Sequence, residues 1–240
     1  MARKDIVTDT SNAKDVTDFL NQARNLAVRA PASGPAQGRL IFAMDATASR
    51  QPSWDTAAEI QAEMFDAVGG IGALDVQLVF FRGLGECKAS GWARNAKSFR
   101  DYITKVTCRA GHTQIERVLA HVEREANSKK INALIYVGDC IEENVDHLAP
   151  LAGKLALKGV KAFMFQEGHD PDAAFAFGEI ARITDGAFMQ FDASSAKKLR
   201  DLLGAVASYA VGGQDALSAY QSKTGSEEVL RLGHQLRKSR

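Results

Sequence analysis

The sequence predicts an α/β protein, with a doubly wound, mainly parallel sheet, one antiparallel edge strand and helices on both faces. Short apolar runs typical of buried strands alternate with amphipathic helical segments from Arg39 onward, which indicates a parallel sheet covered on both sides. Only Gly83-Leu84-Gly85 separates the second predicted strand from the third. Because a parallel crossover needs roughly a dozen residues, the third strand must run antiparallel at an edge. Ligands of such Rossmann-like sheets lie outside the carboxyl ends of the strands.

The first 38 residues are predicted to form a separate N-terminal helix and linker. Ser11 is a candidate helix cap, and apolar residues recur at helical spacing as far as Val28. Two prolines and two glycines then fall within residues 31–38, a composition typical of linkers and turns. We therefore expect the main domain to begin at Arg39.

The main domain is predicted to span residues 39–211. Apolar runs bounded by turn residues predict strands at residues 40–44, 75–81, 86–93, 131–137, 160–165 and 186–191. Helical spacing and capping residues predict helices at residues 53–68, 97–106, 113–127, 144–158, 171–183 and 194–211. Gly212-Gly213 are predicted to end the last helix, and residues 212–240 to form a polar, partly helical C-terminal tail with a basic end.

The composition gives the chain almost no net charge. Lys and Arg total 30 against 29 Asp and Glu, for a formal net charge of +1, so no overall field favours nucleic acid or an anionic membrane. The three cysteines are odd in number and widely spaced, which does not indicate a disulfide framework. The first residues lack the apolar run of a secretion signal. No run approaches the roughly 20 apolar residues of a membrane span. We expect a cytoplasmic protein with a protein partner; the sequence does not indicate its oligomeric state.

Oxygen-bearing side chains gather where the predicted strands end. Asp45, Thr47 and Ser49 follow the first strand at alternate positions, Asp139 follows the fourth, and Thr113 begins the helix before it. The mouths of these elements can meet at one edge of the sheet. Such hard donors suit Mg²⁺, or Mn²⁺ or Ca²⁺, and do not suit Zn²⁺. Since Mg²⁺ tolerates few carboxylates and keeps several waters, one coordination position would stay open for an outside ligand.

These residues resemble the metal-ion-dependent adhesion site (MIDAS) of von Willebrand factor A (VWA) domains. The family's pattern is D-x-S-x-S, then a Thr, then an Asp, and here it is matched by Asp45-Ala-Thr-Ala-Ser49, Thr113 and Asp139. The resemblance covers residues 39–211 and includes the order of elements. It implies that the first and fourth strands are neighbours, that Asp45 and Asp139 share a crevice, and that the bound ion coordinates an acidic residue of a partner protein.

The sequence departs from the family's pattern in two places. Thr47 stands where the family usually has Ser, which keeps the hydroxyl and adds a methyl group. The last motif is Gly138-Asp139-Cys140 where the family often has Thr-Asp-Gly, which changes the loop around the aspartate.

Each candidate ligand also has a purely structural interpretation. Thr113-Gln-Ile-Glu116 is a capping box, so Thr113 alone can cap its helix. Ser49 can be a turn residue, and Asp139 can cap the turn after its strand. Asp45 has the weakest structural alternative, because an unpaired carboxylate at the end of a buried strand is costly unless it is paired or metal-bound.

Histidines and cysteines near the candidate site are a second open question. His112 and His169 either line the rim of a partner site or are surface loop residues, and the second interpretation is favoured. Cys108, His112 and Cys140 lack the close ligand pairs of a zinc site. We expect Cys140 to be a small apolar filler.

Three functions compete. The first, which we favour, is a non-enzymatic, metal-dependent protein-binding module. The second is a Mg²⁺-dependent phosphotransferase, because Asp45 and the segment 138–143 loosely resemble the haloacid dehalogenase family. That chemistry needs a second Asp two residues after the nucleophile as acid/base, and Thr47 holds that position. The third is a structural subunit whose metal site has decayed, which the intact set of hydroxyls disfavours.

Overall fold

The sheet of the computed structural model, which describes residues 36–192 and 195–238, confirms the predicted fold class. Its strand order is β3-β2-β1-β4-β5-β6. The strands are β1 Ala36–Asp45, β2 Gly72–Arg82, β3 Glu86–Ala93, β4 Ala133–Gly138, β5 Lys161–Glu167 and β6 Ala187–Phe191. β3 runs antiparallel to β2, and the other neighbours are parallel. The predicted helix between Ser11 and Val28 lies outside the described residues.

Helices cover both faces of this sheet. They are α1 Gln51–Ile60, α2 Ala62–Asp66, α3 Ala96–Ile103, α4 Ile115–Ser128, α5 Val145–Leu157, α6 Pro171–Ile183, α7 Ala196–Thr224 and α8 Glu227–Lys238. A 3-10 turn, Ala48–Arg50, joins β1 to α1. Asp170 caps α6 by accepting from Ala173 N at 2.7 Å, and Pro171 opens the helix, which explains why this helix occupies the predicted residues.

The central strands bury side chains on both faces. Leu40 and Phe42 of β1 belong to a core shared with α1, α3 and α7, whereas Ile41 and Ala43 belong to a core shared with α4, α5 and α6. This division follows from the two-residue period of a strand. β1 lies between β2 and β4, so the strands that precede β4 in sequence extend to one side of it and the later strands to the other. At such a reversal of strand order, a crevice opens beyond the carboxyl end of the strand.

The C-terminal segment differs from the expected polar tail. The helix predicted to end at Gly212-Gly213 continues to Thr224 across a kink at Gly213, whose φ of 64° and ψ of −150° suit only glycine. Apolar residues after the kink join the α7 core, namely Leu217, Tyr220, Val229, Leu232 and Leu236. Residues 214–238 therefore pack against the sheet domain, while the division of the chain at residues 38 and 211 stays a prediction.

Tyr220 links the two halves of α7 to the rest of the domain. Its hydroxyl donates to Glu63 Oε1 in α2 at 2.9 Å. Its ring fills the space beside Gly204, where a Cβ atom would collide with it. The kink at Gly213 thus places Tyr220, in the second half of α7, against Gly204 in the first half.

Across residues 36–192 and 195–238, no helix combines the length and apolar character needed to cross a membrane.

Candidate metal centre

Asp45 ends β1 as a fully buried carboxylate. The backbone around it is fixed, since Trp54 Nε1 donates to Asp45 O at 2.6 Å and Ala46 N donates to Phe81 O at 2.9 Å. Thr47 N donates to Asp45 Oδ1 at 2.7 Å, which folds the side chain over the following turn. The other oxygen, Oδ2, is buried and has no hydrogen-bond partner.

Asp139 lies beside it, directly after β4. The strands are in register there, with Met44 paired to Val137. Ser49 Oγ donates to Asp139 Oδ2 at 3.3 Å, while Asp139 Oδ1 is buried without a partner. One oxygen of Asp45, one of Asp139 and the Cys140 sulfur all lie within 4.8 Å of one another. The structure thus brings the two predicted carboxylates together.

Burial dominates the electrostatics of Asp45. It raises the pKa of this carboxyl from 3.8 to about 6, mainly by desolvation, and the charge of Asp139 adds to the rise. Hydrogen bonds from Thr47 and the positive charge of Arg50 lower the pKa in part. The ionised carboxylate therefore lacks enough positive charge nearby to offset its burial.

Arg50 and Glu167 are charged neighbours of the two aspartates that were not predicted from the sequence. Arg50 is 1% exposed, and its Nη1 lies 2.6 Å from Glu167 Oε2 and 3.9 Å from Asp139 Oδ2. Ser53 Oγ also donates to Glu167 at 2.6 Å. Three carboxylates and one guanidinium, when all are ionised, leave two negative charges uncompensated. A weak signal existed, because Glu167 ends a strand at the same edge of the sheet.

Thr113 is held against the loop that follows Asp139. Its hydroxyl accepts from Glu142 N at 3.1 Å, and its own N–H donates to Glu142 Oε2 at 2.8 Å. The capping box predicted for this helix is wrong: α4 begins at Ile115, and Glu143 accepts from Ile115 N and Glu116 N. The hydroxyl of Thr113 therefore joins the loop before α4 to the loop after β4, at the carboxyl edge of the sheet.

The cysteines and histidines separate into near and distant groups. Cys140 is not the apolar filler that we expected, since its sulfur lies with the two carboxylates. Burial, followed by the charge of Asp139 and a hydrogen bond with it, raises the pKa of the Cys140 thiol to about 12. His112 and His169 have side chains 66% and 77% exposed, so their role at a partner rim stays a prediction. Among the described residues, the zinc set of Cys108, His112 and Cys140 does not form.

Similarity to solved structures identifies the fold. No protein-family model matches the chain, and no curated protein matches it. It is similar to a von Willebrand factor type A protein from Catenulispora acidiphila, with a TM-score of 0.61 and 15% identity. The chain has the VWA fold. The match covers 74% of this chain and 43% of the Catenulispora protein, so the chain spans less than half the length of that relative.

Two further VWA-fold structures agree. The SpRpn10 VWA domain has a TM-score of 0.52 and 10% identity, over 69% of this chain and 94% of that domain. Proximal thread matrix protein 1 from the mussel byssus, solved with a zinc-occupied MIDAS motif, has a TM-score of 0.57 and 16% identity. That match covers 81% of this chain and 52% of the mussel protein. At such identities these likenesses establish the VWA fold alone.

Proposed function

We propose that this VWA fold is a binding module that holds a divalent cation, Mg²⁺ or alternatively Mn²⁺ or Ca²⁺, and uses it to bind an acidic residue of a partner protein. The proposed metal ligands are side-chain oxygens of Asp45, Thr47, Ser49, Thr113 and Asp139. The observation that carries the proposal is the pair of carboxylates, each with a buried oxygen that has no partner. A buried unpaired acceptor costs about 1–3 kcal/mol, and more when charged, so both oxygens favour a bound cation.

The donor chemistry and the charge fit such an ion. Carboxylate and hydroxyl oxygens are the ligands that Mg²⁺, Mn²⁺ and Ca²⁺ prefer. The two uncompensated negative charges around Asp45, Asp139, Arg50 and Glu167 equal the charge of one divalent ion. The zinc-occupied MIDAS of the mussel protein supports a metal-binding role for this part of the fold.

The chain's own residues would prepare the site for a partner. Burial of Asp45 reduces screening, which strengthens its attraction for a cation. Ser49 is exposed beside Asp139 and offers a hydroxyl near an incoming carboxylate. His112 and His169 are proposed rim residues. The bound ion would supply an open coordination position for an anionic oxygen.

The same residues favour binding over catalysis. Thr47 occupies the position at which a phosphotransferase would need an acid/base carboxylate, so we expect no metal-dependent turnover of a generic phosphate ester. A net charge of +1 favours a protein partner over nucleic acid or a membrane. Three free cysteines suit a reducing compartment, and we propose a cytoplasmic location.

Calorimetric titration with Mg²⁺ and Mn²⁺ tests the metal centre. Wild type should bind one ion, and the double variant Asp45→Ala, Asp139→Ala should bind none. Asp192→Ala is the matched control, because Asp192 also follows a strand of this sheet but is exposed. Equal ion binding by wild type and the double variant would contradict the metal centre.

Affinity capture with and without a chelator tests the partner role. Proteins retained by wild type should be lost both on chelation and in Asp45→Ala, and chelation should have no further effect on that variant. Retention of the same partners by folded Asp45→Ala would show that recognition occurs elsewhere on the molecule.

A further inference from the structure

Cys140 gives this centre a donor that oxygen-preferring ions do not use. Its sulfur, an Asp45 oxygen and an Asp139 oxygen lie within 4.8 Å of one another. Asp45 is fully buried and its Oδ2 has no hydrogen-bond partner. The thiol therefore lies beside an unsatisfied carboxylate and not merely near the surface of a loop.

The loop that carries Cys140 is held in place on its far side. Glu142 exchanges two hydrogen bonds with Thr113, one through its backbone N–H and one through its carboxylate. Glu143 accepts from the first two N–H groups of α4, those of Ile115 and Glu116. Because β4 fixes Gly138 on the other side, the position of the sulfur is set by a short, tied segment. Such a segment can preorganise a metal ligand.

Two carboxylate oxygens and one sulfur form a three-ligand set with chemical preferences of its own. Zn²⁺ and Co²⁺ accept thiolate sulfur together with carboxylate oxygen, and three protein ligands leave a fourth position open. Mg²⁺ and Ca²⁺ take oxygen ligands only. The sulfur would thus add affinity for the first pair of ions and none for the second.

We propose that Cys140 coordinates the bound ion through its sulfur and shifts the selectivity of the centre toward Zn²⁺ and Co²⁺. The inference rests on the proposed metal centre and names the ion class that it prefers. On binding, the thiol proton leaves for solvent as the sulfur–metal bond forms, and no redox change occurs. Mg²⁺ would still use the oxygen donors alone.

Cobalt spectroscopy of the full chain tests the sulfur directly. Metal-free protein, kept reduced with a phosphine, is titrated with Co²⁺. Wild type should develop a thiolate-to-cobalt charge-transfer band in the near ultraviolet, and Cys140→Ser should not. Cys108→Ser is the matched control, because Cys108 is also a partly buried free cysteine but does not belong to the cluster of Asp45, Asp139 and Cys140. Cys108→Ser should keep the band.

Calorimetry with Zn²⁺ and Mg²⁺ separates the inference from the function on which it rests. Most sites bind Zn²⁺ more tightly than Mg²⁺, so the informative quantity is the change caused by Cys140→Ser. Zn²⁺ affinity should fall by roughly 10- to 100-fold or more, the range seen even for outer-sphere partners, with Mg²⁺ affinity nearly unchanged. Circular dichroism should show that the variant is folded.

The outcomes are distinct. If both ions bind wild type and Cys140→Ser changes neither the cobalt band nor the Zn²⁺ affinity, the role of Cys140 is overturned and the metal centre stands. Loss of the band in Cys108→Ser alone would also overturn it. If no divalent ion binds wild type, both proposals fail.

Discussion

Two buried aspartates on adjacent strands, Asp75 in β2 and Asp45 in β1, have opposite surroundings. Asp75 uses both carboxylate oxygens: Gln37 Nε2 donates to Oδ2 at 3.0 Å, and Arg94 Nε lies 3.5 Å from Oδ1. Asp45 uses Oδ1 for Thr47 N and leaves Oδ2 without a partner. Burial of an acid is therefore not by itself a sign of function. The unpaired oxygen distinguishes a candidate ligand site from a structural hydrogen-bond network.

The largest expected effect concerns Arg50, which provides the only nearby positive charge among the groups described around Asp45. In metal-free protein, Arg50→Gln should lower the free energy of unfolding by about 3–5 kcal/mol, because Glu167 loses its buried partner. Mg²⁺ should restore part of the loss by supplying positive charge. Urea denaturation in chelator and in Mg²⁺ measures both effects.

Arg182→Gln is the control for this experiment, since Arg182 forms an exposed pair with Glu179 and should change stability by no more than about 1 kcal/mol. Equal effects of the two substitutions would mean that Arg50 does not stabilise the buried carboxylates.

The direct comparison of Asp45 with Asp75 comes next. At 100 times its dissociation constant, an ion that binds only the folded state adds about 2.7 kcal/mol of stability. Asp45→Ala should abolish that increment and leave the metal-free domain folded, since it removes the repulsion between two carboxylates. Asp75→Ala should cost about 1–3 kcal/mol by breaking its hydrogen bonds and should keep the increment. Melting curves with and without Mg²⁺ measure this increment for each variant. Loss of the increment in both variants would contradict the proposed difference between Asp45 and Asp75.

The effect of Asp45 on the free energy of unfolding should also depend on pH. The pKa of Asp45 is about 6 in the folded protein against 3.8 for the ordinary group, so the folded state holds this proton more tightly. The resulting destabilisation is absent below pH 3.8, grows as pH rises, and is complete above about pH 6. In chelator, Asp45→Asn should therefore gain stability over wild type between pH 4.5 and pH 7.5, by on the order of 1–3 kcal/mol. Denaturation at the two pH values measures this, and a constant or shrinking difference would contradict it.

Thr47→Ser should have the smallest effect. It keeps the hydroxyl oxygen and removes one methyl group, so Mg²⁺ affinity should change by less than about tenfold, or 1.4 kcal/mol. Thr47→Val removes the oxygen with little change in volume and is the informative partner variant. Equal Mg²⁺ binding by the two variants would remove Thr47 from the proposed ligand set.

Local signals explain what the sequence could predict. Strand β3 occupies the predicted residues 86–93, because a glycine turn precedes it and the Asn95 cap of α3 follows it. The meeting of Asp45 and Asp139 follows from parallel strands ending at one edge. These inferences need only the pattern along the chain.

Contacts between distant residues explain what the sequence could not predict. Glu143 caps α4 from 28 positions away. The capping box predicted from residues 113–116 was therefore wrong. Arg50 and Glu167 meet across a still longer separation. The Gly212-Gly213 pair is typical of a helix end and predicted one. The helix continues past it because the apolar residues that follow are buried in the core, a contact that local sequence does not reveal.

The contact between Tyr220 and Gly204 has a consequence for how this sequence can diverge. The tyrosine ring occupies the volume that any larger residue at position 204 would need, and its hydroxyl is committed to Glu63. The two positions therefore cannot drift independently. Replacement of Gly204 requires the Tyr220 side chain either to move or to be exchanged for a smaller one, so the two positions should covary among related sequences even though 16 positions of chain and a helix kink separate them.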